Sequence, residues 1–158
     1  MHCRGFGIQS PSDYRFVRYV INEHWPYYAF ASFPSDLDSE TTKLGKLYFR
    51  LANYRQPSII IDRVGMSLFL RAACSRVTIL TDCESVELAI IPIEDDYDDL
   101  FNRCHDASIV VFHQIYRDKE RWEHVKNDHR VQVTYDLYYC GIVFFDTKRY
   151  KQHYIVNF

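Results

Sequence analysis

The chain has 158 residues, a formal net charge of −2 and 47% hydrophobic residues. That is enough for one domain with a sizeable core, and it offers no basic face of the kind a general nucleic-acid binder presents. No apolar run reaches membrane-spanning length, Met1 to Gly7 contains no signal-peptide core, and the five scattered cysteines form no Cys-x-x-Cys pair. The expectation is therefore a cytoplasmic protein with reduced thiols and no zinc site of the usual spacing. The 13 Tyr and 11 Phe suit a core, and Tyr suits partner surfaces as well.

In chain order, Gly5 to Pro11 reads as a loop and Ser12 as the N-cap of a first helix with Asp13 in its first turn. Phe16, Val17, Val20 and Ile21 fall on one face, and the helix should end before Pro26. Tyr27 to Phe30 is an aromatic segment continued by Phe33. It reads either as core or lid packing or as a stack for a planar ligand or partner. Asp38 or Ser39 caps a second helix with the stripe Leu44, Leu47, Tyr48 and Leu51, limited by Pro57.

Ile59 to Ile61 is a β-branched run suited to a strand covered on both faces. A tight turn at Gly65 leads into a short helix around Leu68 to Ala73. Arg76 to Leu80, Leu88 to Ile91 and Ser108 to Phe112 are the next strands, with a helix over Asp96 to Cys104 between the last two. Trp122 and Val125 form the inward side of a polar helix over Asp118 to Lys126. From Val131 to Leu137 the apolar period changes to two, and Ile142 to Phe145 supplies a partner strand, with Gly141 relaxing the approach between them. His153 to Phe158 alternates as a final strand. The pattern predicts one domain: a helical segment over 1–57, then a sheet core over 58–158. Ile59–Ile61 should be flanked by Arg76–Leu80 and Leu88–Ile91, followed by Ser108–Phe112 and an antiparallel closing pair.

Three stretches carry a resemblance. Gly7-Ile8-Gln9-Ser10-Pro11 with Pro26 to Phe30, Asp106 to Phe112, and Arg130 to Phe145 with Lys151 to Tyr154 resemble a bacterial family of class I S-adenosylmethionine-dependent methyltransferases of the small-molecule O-methyltransferase type. The resemblance implies a three-layer Rossmann-like α/β fold, mostly parallel, with an antiparallel C-terminal hairpin. It also implies a glycine-rich turn that holds the cofactor after the first strand, and here the sequence departs from the family. Aligning Gly65 with the last glycine puts Ile61 at the first glycine, a branched side chain where the ligand would lie, and Ile59 at the acidic position. Pro92 stands where the family carries a metal-binding or catalytic Asp. Only six residues separate Leu80 from Glu87, where the family has two helices and a strand, so part of the usual sheet is lacking.

What the resemblance leaves as remnant cofactor-binding residues is Asp62, Gly65, Asp82 and His113. No catalytic or metal-binding residue is assigned. Three of the four have a plainer reading, while Asp82 stands where the family's second strand ends in a carboxylate that holds the ribose hydroxyls. Gly65 with Asp62 and Arg63 is a strand-to-helix turn needing one permissive residue, and His113 is a hydrogen-bonded surface histidine. The acidic run from Glu94 to Asp99 reads as helix capping and solvation. Cys83 beside Asp82 is not an activated thiol. The expectation is a degenerate, non-catalytic methyltransferase-like domain acting through protein contacts, without a cofactor. An active S-adenosylmethionine-dependent methyltransferase and a small-ligand binder at the carboxyl-end crest are the alternatives. The strand Arg76–Leu80, left at the sheet edge, is the expected homodimer contact, and neither nucleic acid nor membrane is an expected partner.

Overall fold

The computed structural model describes residues 2–3 and 7–158, with side chains from Gly7 onward. Eight strands form one sheet: β1 (His2–Cys3), β2 (Ile59–Asp62), β3 (Thr78–Leu80), β4 (Val86–Pro92), β5 (Cys104–His113), β6 (Val133–Asp136), β7 (Cys140–Phe144) and β8 (Gln152–Val156). Their order is β1-β8-β6-β7-β5-β4-β2-β3. Every neighbouring pair is parallel except those of β7, which runs antiparallel to both β5 and β6. The expected neighbours of the Ile59 strand are in place, and the fold is a mostly parallel, three-layer Rossmann-like α/β sheet with an antiparallel pair. The 1–57 segment is not only helical, because β1 adds a strand beside β8.

Helices α1 (Pro11–Phe16), α2 (Ser39–Arg55) and α3 (Ser67–Ala73) cover one face, and α4 (Asp98–Asn102) and α5 (Lys119–Asn127) cover the other. Ser10, not Ser12, caps α1: its Oγ accepts from Asp13 N at 3.4 Å. Pro11 explains the shift, since a proline fits best at the first helical position, one residue after the cap. A π-helical turn, Val17–Ile21, continues α1, and a 3-10 turn, Tyr28–Ser32, follows. Asp38 caps α2 by accepting from Thr41 N at 2.8 Å, and Leu44, Leu47, Tyr48 and Leu51 are buried as the stripe predicts. Helix α4 ends before Cys104, which belongs instead to β5, where it pairs with Val86. None of the helices among the described residues is long and apolar enough to cross a membrane.

The two faces sort by the period of the strands. Ile60, Leu88, Ile90, Ile109, Val111 and Ile142 point to the first core, and Ile61, Ala89, Ile91, Val110, Phe112 and Val143 to the second. Parallel strands normally need a crossover of a dozen or more residues, yet residues 81–85 alone join β3 to β4. The short β3 permits this, and Cys83 packs this link against the second core, where a helix would otherwise lie.

Gly141 is the strand position that admits Trp122 against the sheet. A Cβ added there would stand 2.3 Å from the indole ring. Gly141→Ala should therefore destabilise the protein by about 1–3 kcal/mol through overpacking. Urea unfolding checks this: the midpoint falls with an unchanged slope, and an unaltered midpoint would show that the indole has room to move.

Candidate functional site at the carboxyl-end crest

β2 ends at Asp62, β4 at Pro92 and β5 at His113. The chain leaves β2 for α3 on the first face and β4 for α4 on the second. The crevice between them is thus the topological switch point at which α/β sheets bind ligands.

Side chains of the protein itself occupy this crevice. Asp62 is buried, and its Oδ1 accepts from Val64 N and Gly65 N, both at 3.0 Å, closing the turn. Gly65 has φ +78°, and a Cβ there would meet nothing, so the backbone conformation requires the glycine and no close approach does. Arg63 straps the strand ends together. Its N–H donates to Ile90 O at 2.9 Å, its Nε to Thr81 O at 2.9 Å, and its terminal nitrogens reach Asp95 at 3.3 Å and Asp82 at 3.4 Å. Asp82 also accepts from Arg103 Nη1 at 2.8 Å, and that hydrogen bond leads in holding its carboxyl below the usual range. The acidic run after β4 is likewise tied to arginines: Glu94 to Arg117, Asp98 to Arg130 and Asp99 to Arg103.

His113 belongs to a second group, nearer β7. Its Nδ1 lies 2.7 Å from the Tyr48 hydroxyl, which α2 buries completely. Burial lowers the His113 pKa and raises that of Tyr48 well above its ordinary value, so the pair is neutral. Gln114 follows in the left-handed region at φ 56° and donates through Nε2 to Glu40 at 2.9 Å. Tyr116 donates to the same carboxylate at 3.0 Å. A cavity of about 460 Å³ opens beside this group, walled by Tyr116, Tyr138, Tyr139 and Trp122. Tyr138, also left-handed at φ 67°, stacks on Tyr116 with ring centres 5.5 Å apart.

The structure therefore places Asp62 and Gly65 in one turn and joins Asp82 to them only through Arg63. His113 stands across the crest, within reach of the Asp62 charge. Ile61 is 1% exposed in the second core, as a strand covered on both faces requires, and the expectation that its side chain lies in ligand space is the part corrected. The carboxylate nearest the glycine is spent on its own turn, and the adjoining space is bridged by a guanidinium. These residues do not fit the methionine end of S-adenosylmethionine. Glu40 and Tyr138 went unread in the sequence. Tyr48 was legible only as part of an apolar stripe, and nothing local marks Gln114 as left-handed. No family model, curated protein or solved structure matches the chain.

Burial lowers the pKa of His113 and of His153, so the unfolded chain takes up protons before the folded one as the pH falls. Stability should be complete above the unfolded histidine value, about 6.5, and should decline as the pH drops through it. His113→Gln keeps a hydrogen-bonding group beside Tyr48 and should flatten part of that decline. Urea midpoints measured from slightly alkaline to mildly acid buffer check this. Identical pH slopes for both proteins would mean that His113 does not contribute.

Proposed function

We propose that this chain is a methyltransferase-like domain that has given up catalysis and works through contacts with other proteins. The single observation that carries the reading is the Arg63 strap, which links Thr81, Asp82 and Asp95 across the crevice where a nucleotide-type ligand would sit. The strand order supports the methyltransferase part, with the closing pair inside the main sheet as the resemblance requires. A small-ligand binder is the competing reading, favoured by the tyrosine-walled cavity beside His113. Calorimetric titration with S-adenosylmethionine and S-adenosylhomocysteine to millimolar concentration should give no saturable heat. Saturable binding of either compound would overturn the reading.

The homodimer belongs to the same proposal. β3 is the last strand of the sheet, and Thr78 and Leu80 on it are exposed. Thr78 N–H is spent on Ser58 O, so alternation turns the N–H of Ile79 toward the open edge. A two-fold axis through Ile79 would pair two copies with mutual hydrogen bonds. Sedimentation at micromolar concentration should show a dimer that Ile79→Pro, lacking that donor, does not form. A monomeric wild type, or a dimer indifferent to the proline, would place association elsewhere or nowhere.

A further inference from the structure

The N-terminal segment carries a groove that the crest does not use. Two cavities, about 470 and 850 Å³, meet where Tyr27 and Arg50 line both. Four aromatic side chains stand in or around them largely uncovered: Tyr19 at 61% exposure, Tyr54 at 56%, Trp25 at 68% and Tyr28 at 101%. Tyrosine, tryptophan and arginine are the residues that dominate the energetic centres of protein interfaces.

The charge on this groove is lopsided. Arg50 is 8% exposed, and its cation is held by carbonyls rather than by a carboxylate. Nε donates to Val20 O at 2.6 Å and Nη2 to Ile21 O at 2.9 Å, the carbonyls at the end of the π-helical turn. Its Nη1 has no hydrogen bond to any described residue. Next along the chain, the Asn22 Nδ2 is buried without a partner among the described residues. Arg15 lines one cavity, and Lys46 lines the other, above the Phe30 ring at 5.3 Å. The one carboxylate in the lining, Glu23, accepts from the backbone N–H of Trp25 at 2.9 Å. Glu23 favours the nearly buried Arg50 cation through its charge without forming an ion pair with it among the described residues, so a carboxylate that reaches Nη1 adds a charge-assisted hydrogen bond. π-turns of this kind are frequent at functional sites.

We propose that this groove docks an acidic peptide segment of a partner protein. Its carboxylates would meet Arg15, Lys46 and Arg50 Nη1, and its apolar side chains would lie on the exposed rings. The proposal rests on the protein-contact reading above and names the chemistry of that contact. A nucleic acid is the poorer occupant. Its backbone brings a charge with every nucleotide, the groove answers with few cations, and the chain as a whole is net negative at −2.

The test uses the full chain as bait for a random dodecapeptide library displayed on phage. Enriched sequences should be rich in Asp and Glu, and synthetic copies should change the tryptophan fluorescence on binding. The chain has two tryptophans and the other, Trp122, is 3% exposed, so the signal reports Trp25. The double variant Arg15→Glu, Lys46→Glu should bind these peptides at least tenfold more weakly at an unchanged unfolding midpoint. Enrichment of neutral or basic peptides, or equal enrichment by the double variant, would overturn the proposal. So would an oligo-dT strand or a phosphatidylserine vesicle that shifts Trp25 fluorescence and is not displaced by acidic peptides. Acidic peptides that bind support the groove whether or not S-adenosylmethionine binds, so failure of one reading is told apart from failure of the other.

Discussion

The fold depends on the burial of one carboxylate. Asp13 is 3% exposed and sits in the first turn of α1. Its Oδ1 accepts from the Tyr135 hydroxyl at 3.0 Å and pairs with Arg149, and its Oδ2 accepts from the Tyr154 hydroxyl at 2.9 Å. A buried charge without partners is among the costliest things a protein can hold. These partners come from β6, from β8 and from the link between β7 and β8. The first helix is therefore secured over its face of the sheet only where the closing strands are assembled. Tyr135 and Tyr154 stack 5.4 Å apart, and Phe16 packs on Tyr135 at 4.9 Å, so the ion pair sits within an aromatic wall.

A second theme is the use of arginine to hold chain that no helix holds. The link of residues 81–85 has no helix to hold it against the second core. Instead Arg103 donates to Cys83 O and to the Asp82 carboxylate, and Arg63 reaches the same carboxylate from the opposite end of the sheet. Guanidinium groups suit this role because several fixed donors let one side chain bridge separate backbone segments. The same set of arginine contacts that holds the short crossover also spans the crest. One carboxylate, Asp82, is thus shared between the arginine that holds the link and the arginine that spans the crest.

Much of this architecture was legible in the sequence. The isoleucine run at 59–61, the alternation after Val131 and the stripe of α2 each gave the right element because burial on two faces, on one face or along one stripe leaves its own period. The α1 cap was misplaced by two residues, since Ser10 and Ser12 are equally good caps and only the position of Pro11 separates them. Cys104 was read into a helix because Leu100, Phe101 and Cys104 keep helical spacing, although pairing with Val86 draws it into a strand. Of the candidate site, the Gly65 turn could be read from the residue type. The strap could not, because the partners of Arg63 lie 18 to 32 residues away and no local pattern joins them. Asp13 was read only as an acid in the first turn of a helix for the same reason. Its partners are more than a hundred residues distant.

The antiparallel position of β7 has a consequence in time. β7 lies between β5 and β6, although it follows both in the chain. A polypeptide emerging from the ribosome therefore presents β5, with the apolar run Ile109 to Phe112, and then β6, before the strand that must separate them exists. Synthesis at about 5–20 residues per second makes the interval between the end of β6 and the end of β7 roughly half a second to two seconds. During it, the most hydrophobic edge in the molecule has its lasting neighbour on one side alone. Pairing of β5 with β6 would be the natural error in that window. The tight turn at Leu137 to Tyr139, with Tyr138 in a left-handed conformation, hands β7 to its place directly.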